Sequence, residues 1–191
     1  MRAEFYREQH VGFHTEHDLL GDIKWKPVLE KIQVPEDGYS KAEWMKISRE
    51  QYPANRYNPP KKWGKDLLWF TADHLGVDLN EHPEALEMII TAGQENPLDE
   101  MGCDFFVCFK NPKTGREQCA TCDITKQELK TGWKIDQNKP SEWKAKKPKS
   151  IIIDANEFPD PRENLDDYVE AMKKYSQQIA EVLKNKTEFT H

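Results

Sequence analysis

No apolar run in the chain approaches the roughly 18 residues needed to cross a bilayer, so no membrane-spanning helix is expected. The first residues, MRAEFYREQHVGFHTEHD, are charged throughout and lack the apolar stretch of a secretory signal. A cytoplasmic location follows as the expectation. Excess basic charge is also missing. A formal net charge of -6 over 191 residues argues against a nucleic-acid coat or a polybasic membrane binder, though local basic patches remain compatible with it. Cysteine is scarce, with four residues, all between Pro97 and Lys126. In a reducing compartment these are expected to be thiols or metal ligands and not disulfides. There is no Ser/His/Asp order, no glycine-rich phosphate loop, no HExxH and no internal repeat.

What is present is a polar but core-forming composition. Hydrophobic residues make up 37% and charged residues 32%, yet six Trp, six Tyr and eight Phe argue against disorder. Asp18 to Ile32 has partly helical apolar spacing, interrupted by Pro27. Ser40 is placed to cap a helix from Lys41 to about Gln51, with Glu43 as its capping-box partner. Tyr52 to Lys62, rich in Pro and Asn, reads as a loop or arm. Gly64 to Leu75 reads as a buried helix closed by Gly76. Asn80 and Pro83 then suggest the start of a second helix running through Glu84 to Ile90.

Two strands are expected next, Cys103–Lys110 and Glu117–Thr125, joined by the turn residues Asn111 to Gly115 as an antiparallel hairpin. Thr131 to Gln137 is a third strand candidate, and Asn138 to Lys149 a lysine-rich loop. Ser150 to Asp154 carries a β-branched run expected to form a central buried strand. Asn164 caps a last helix from about Leu165 to Leu183, whose apolar residues recur with a 3.6-residue period. The order predicts an α/β (α+β) fold, with a mixed central sheet led by a β-hairpin and flanked by helices. An N-terminal helical or irregular arm over residues 1–62 would precede an α/β core over 63–191, or the two would form one domain.

The hairpin carries the candidate chemistry. Asp104 opens one strand and Asp123 lies near the end of the next. With the turn centred near Pro112–Thr114, partners sum to about 226, so Asp104 faces Cys122 or Asp123. Two carboxylates so close repel unless a cation lies between them. An oxygen-only set suits Mg²⁺, with Mn²⁺ as a substitute, because Mg²⁺ binds through one or two carboxylates and keeps waters for a substrate phosphate. Such a metal activates water for attack on phosphorus. Lys126 could supply a fixed positive charge.

A helix bearing Glu87, a strand with Asp104, a turn, and a strand with Asp123 followed by Lys126 resembles the order of the PD-(D/E)xK, or restriction-endonuclease-like, nuclease superfamily. Pro97-Leu98-Asp99-Glu100-Met101-Gly102-Cys103-Asp104 is similar to that family's approach to its first metal-binding aspartate. Cys122-Asp123-Ile124-Thr125-Lys126 is similar to its second motif. The match spans roughly residues 81–155. It implies a Mg²⁺-dependent hydrolase of nucleic acid, DNA rather than RNA, with Asp104 and Asp123 as metal ligands, Glu87 as the helix acid and Lys126 as the catalytic lysine. The family places its lysine two residues after the acid. Here Thr125 holds that place, Lys126 follows, and Lys130 and Lys134 are substitutes.

The cysteines offer a competing site. Cys103, Cys108, Cys119 and Cys122 are spaced C-x4-C-x10-C-x2-C and could bind Zn²⁺. On an extended strand, however, Cys103 and Cys108 would lie about 16 Å apart and point to opposite faces. The zinc reading therefore requires that run not to be a strand. His10, His14 and His17 would share one face of a helix, although surface histidines are the simpler account. Lys61 and Lys62 beside Trp63, and Trp143 with Lys144, Lys146 and Lys147, are candidate nucleic-acid contacts through phosphate pairing and base stacking. The alternatives to a nuclease are a non-enzymatic protein-binding module of the inhibitor or immunity type, which would have a protein partner, and a small structural zinc protein.

Overall fold

The computed structural model describes residues 18–92, 96–125 and 150–185. Residues 18–20 are helical, and a short helix α1 (Lys26–Leu29) follows, with Pro27 in its first turn where a missing N–H costs nothing. Helix α2 (Lys41–Glu50) starts at Ser40 with the expected capping box. The Ser40 side chain accepts from the Glu43 N–H, and the Glu43 carboxylate accepts from the Ser40 N–H. Helix α3 (Lys62–Leu75) ends at Gly76, whose φ of 69° is the left-handed conformation that glycine adopts without strain.

Residues 86–90 correct the sequence reading. Leu86–Ile90 is a strand, β1, and not a helix. All five residues are buried, which explains the misreading. A run that is apolar apart from Glu87 and buried on both faces lacks the sustained alternation that marks a strand. Turns occupy the stretch around Asn80 and Pro83 that suggested a helix start. One short turn of helix, α4 (Pro97–Glu100), leads into β2 (Phe105–Lys110) and β3 (Glu117–Thr125). After β4 (Ile151–Asp154) and a 3-10 turn (Ala155–Glu157), the long helix α5 (Leu165–Lys184) starts at Asn164, which accepts from the Asp167 N–H.

The sheet order is β1-β2-β3-β4. The first two pairings are antiparallel and the last is parallel, so the sheet is mixed, as expected. Ser150 to Asp154 was expected to be central, but β4 is an edge of this sheet among the described residues. The candidate strand at Thr131–Gln137 and the lysine loop at 138–149 lie outside the described residues.

Strand alternation divides the side chains into two faces. One presents Leu86, Met88, Ile90, Phe105, Val107, Ala120, Cys122, Ile124 and Ile153, all buried. Helices α3 and α5 cover it. Trp63 of α3 meets Phe105 edge-on at 5.8 Å, and the packing at Gly64 is close enough that a Cβ there would stand 3.3 Å from the Met88 sulfur. Tyr168 of α5 donates to Asp66 of α3 (2.8 Å), and Lys184 donates to the His74 carbonyl (2.5 Å), so the two helices run parallel. The other face carries Glu87, Cys108, Cys119, Thr121 and Asp123, and α2 is tied across it at both ends. Arg49 pairs with Glu87 and Glu117, and Lys41 donates to Ser150 (3.3 Å). Leu20, Trp25, Trp44 and Tyr52 belong to the same hydrophobic core as the sheet and its helices.

Candidate functional site

The β2–β3 register pairs Phe105 with Cys122, so partners sum to 227. Continued one step past that last pair, the register would set Asp104 against Asp123. The antiparallel ladder ends there, and Asp104 terminates it with its side chain. Its Oδ2 accepts the N–H of Ile124, while its own N–H donates to the Cys122 carbonyl (2.9 Å). The Asp104 carbonyl accepts from both Thr91 and Ala92 (2.7 Å each), and Thr91 Oγ1 donates to the carbonyl of Cys103. Asp104 is thus held by every polar part of its backbone and by one carboxylate oxygen, and it is only 2% exposed. Asp123 is half-buried on β3, where β4 pairs with it through Ile152.

The loop before β2 turns at Gly102. Its φ of 68° needs glycine, and a Cβ there would stand 3.6 Å from Asp123 Oδ2. The Gly102 carbonyl accepts from Ser150 Oγ (2.8 Å), and Ser150 Oγ in turn shares a hydrogen bond with Thr121 Oγ1 (3.1 Å). Polar atoms from the β2 approach, β3, β4 and α2 therefore meet beside the two aspartates.

Glu87 does not join them. It lies on strand β1 opposite Cys108, four residues along β2 from Asp104, or roughly 13 Å away at strand rise. It is 3% exposed and neutralised there by Arg49 and by Arg56 Nη1 at 3.4 Å. Hydrogen bonding to Glu117 raises the Arg49 guanidinium, against burial and with the help of the Glu87 charge, so this arginine stays charged. Glu87 is the centre of a structural ion-pair network at the turn end of the hairpin. Lys126 lies outside the described residues, as do Trp143, Lys144, Lys146, Lys147 and the three N-terminal histidines. Lys61 and Lys62 are exposed at the start of α3. The Trp63–Phe105 contact puts that start at the same end of the sheet as Asp104 and Asp123. Lys62 also pairs with Asp66 and lies over the Tyr168 ring at 5.8 Å.

The cysteines resolve differently from either expectation. Cys108 and Cys119 are direct partners across β2 and β3 and form a disulfide, with Cα atoms 4.1 Å apart. This corrects the reading of all four as thiols or ligands. A register sum of 227 in place of 226 moves the partner of Cys108 from Gln118 to Cys119, and directly opposed side chains share one face. The disulfide removes two thiolates from a four-sulfur Zn²⁺ site. The remaining pair, Cys103 and Cys122, is buried. Burial raises the Cys103 thiol from its ordinary 9.0 to about 11, and burial together with nearby negative charge raises Cys122 well above the usual range. Burial thus favours the protonated form of both thiols.

Among the described residues, no group of three or more His, Cys, Asp and Glu side chains is arranged to hold a metal ion. Asp104 and Asp123 are the two carboxylates at this end of the hairpin, and a pair of carboxylates is the kind of donor set considered for a divalent cation. It suits Mg²⁺, which completes its shell with water and substrate oxygen. Compared with known proteins, the chain matches no family model, no curated protein and no solved structure.

Proposed function

We propose that this chain is a small metal-dependent nuclease of the restriction-endonuclease-like type, hydrolysing phosphodiester bonds of nucleic acid, DNA rather than RNA. The observation that supports the reading is the end of the β2–β3 ladder, where Asp104, one residue beyond the Phe105–Cys122 pair, accepts the N–H of Ile124, the residue after Asp123. Asp104 and Asp123 would hold Mg²⁺, or Mn²⁺ in its place, and the bound ion would supply an activated water and neutralise charge on the phosphoryl group. In the reaction a water oxygen attacks phosphorus and the bond to one ester oxygen breaks. The water's proton passes through solvent to the leaving oxygen, giving a phosphate monoester and an alcohol. The backbone clamp on Asp104 keeps its carboxylate in place without waiting for the metal. Lys61 and Lys62 would meet backbone phosphates at the rim.

No helix among the described residues is long and apolar enough to cross a membrane. A cytoplasmic location is part of the proposal, and the redox state of Cys108 and Cys119 in cells bears on it, because disulfides persist mainly in oxidising compartments.

The test is cleavage of single-stranded, double-stranded and branched DNA and RNA with Mg²⁺ or Mn²⁺. Wild type is expected to cleave. Asp104→Ala and Asp123→Ala are each expected to lose activity by about 10²-fold or more. Wild type and both variants equally silent on every substrate would transfer the assignment to a protein-binding module.

A further inference from the structure

We propose that the cleft at the turn end of the hairpin binds a short apolar peptide with free amino and carboxyl termini. This site is separate from the two aspartates. Phe109, which lines the cleft, stands five residues along β2 from Asp104, roughly 16 Å at strand rise. The inference is independent of the nuclease reading.

The cleft forms where the helical layer stops. Leu75 and Gly76 at the end of α3, and Leu183 and Lys184 at the end of α5, meet Phe109 of β2 and the hairpin turn around a volume of about 590 Å³. Small-ligand sites span roughly 300–1,000 Å³. Phe109 and Leu183 are buried, whereas Leu75 and Val77 are half-buried, so apolar surface remains for a ligand to cover.

Charge decides what kind of ligand fits. The hairpin supplies Lys113 and Arg116, both exposed. Among the described arginines, Arg49, Arg56 and Arg162 each pair with a carboxylate, and Arg116 does not. The segment after α3 supplies the opposite sign through Asp78 and Glu81. The Asp78 carboxylate accepts from the backbone and side-chain N–H groups of Asn80, which leaves its charge without a cation among the described residues. The parallel helices α3 and α5 also end here, and helix carboxyl ends favour cations. Lys184 answers only part of this, by donating to the His74 carbonyl (2.5 Å).

Acidic and basic groups thus line one cleft, and no ion pair among the described residues joins them. A zwitterion with an apolar body completes such a set. Its carboxylate would take the Arg116 fork and Lys113, its ammonium would take Asp78 and Glu81, and its side chains would cover Leu75, Val77 and Phe109. A nucleotide or a fatty acid would satisfy the basic groups alone and set its negative charge against the acidic ones and the helix ends.

Titrations of the full chain with trileucine, N-acetyltrileucine, trileucine amide, triglycine and adenosine monophosphate, read by amide NMR shifts and calorimetry, test this. Trileucine is expected to bind and to shift the amides of Val77, Glu81, Thr114 and Arg116. Blocking either terminus should weaken binding by about tenfold, the worth of one charged hydrogen bond, and triglycine should bind more weakly than either blocked peptide. Lys113→Ala with Arg116→Ala should weaken trileucine by about tenfold and leave trileucine amide unchanged. Asp78→Asn with Glu81→Gln should weaken trileucine likewise and leave N-acetyltrileucine unchanged. Absence of trileucine binding at millimolar concentration, shifts confined to other residues, or blocked peptides binding within about twofold of the free one each overturn the proposal. Tighter binding of adenosine monophosphate than of trileucine overturns it as well, in favour of an anion site. The peptide series uses wild type throughout, so these outcomes stand even where a variant melts early. Asp104→Asn should bind trileucine as wild type does, whatever becomes of cleavage.

Discussion

On one face of the sheet, Met88, Phe105, Val107, Cys122 and Ile153 lie under two parallel helices and show almost nothing to solvent. On the other, Glu87, Cys108, Cys119, Thr121 and Asp123 lie beneath one helix that is tied down at its ends by charge. The first face is held by apolar contact and dense packing, which are insensitive to salt and pH. The second also buries Ile89 and Phe106, but adds the ion pairs of Arg49, the Lys41–Ser150 hydrogen bond and the Cys108–Cys119 disulfide. Burying polar groups is expensive unless each is partnered. The partners of Asp104 are the backbone N–H of Ile124 and the groups that bond its own backbone, and they fix its carboxylate in place.

The comparison can be broken most sharply on the apolar face. Met88→Ala should destabilise by about 2–5 kcal/mol in urea melts, as cavity-forming core substitutions do, because Met88 is fully buried against α3. A cost below about 1 kcal/mol would show that the helical layer packs loosely there. On the polar face, Glu87→Ala should cost less, about 1–3 kcal/mol. It strands two arginines, but both retain some access to water. It should leave the metal dependence of cleavage unchanged, and an altered Mg²⁺ requirement would return Glu87 to the catalytic set. The neighbouring Glu117 sharpens this with pH. Its hydrogen bond from Arg49 lowers its pKa, so its contribution is present above the ordinary carboxyl range and is lost as pH falls below it. Salt and acid should therefore loosen α2 before α5, which amide exchange resolved by residue can follow.

Cys108→Ser with Cys119→Ser should cost about 1–3 kcal/mol, since the closed loop is short and the strands are already paired. Thiol counting checks the pairing directly. Native protein should expose no reactive thiol, unfolded protein two, and unfolded reduced protein four. Four without reductant would remove the disulfide. The smallest effect lies at high pH. Burial raises Cys103 to about 11 and Tyr52 to about 12, so the folded state holds these protons where the unfolded state releases them. Stability should fall as pH rises from about 9 towards 11 and 12, and Tyr52→Phe should lessen the slope above pH 10.

Local chemistry made much of the fold legible. Ser40 and Glu43 mark the start of α2, Gly76 the end of α3, Asn164 the start of α5, and the Asn111–Gly115 turn the hairpin, because caps and turns depend on residues a few positions apart. Leu86–Ile90 was not legible as a strand, because burial on both faces erases the alternating pattern. The disulfide was missed through a one-residue difference in register, and Arg49 as the partner of Glu87 carried no signal at 38 residues of separation. For the candidate site, the placing of Asp104 and Asp123 at one end of the hairpin could be read from turn length.

What the sequence by itself determined, then, is the set of short-range elements and the placing of Asp104 and Asp123 at one end of a hairpin, since local hydrogen bonding and turn length suffice for both. The tertiary structure decided which distant charges join them. It moved Glu87 into an ion-pair network with arginines, paired Cys108 with Cys119, and brought Lys41 of α2 to Ser150. Those choices depend on how α2 lies across the sheet, and that is set by packing over the whole core rather than by any neighbouring residue.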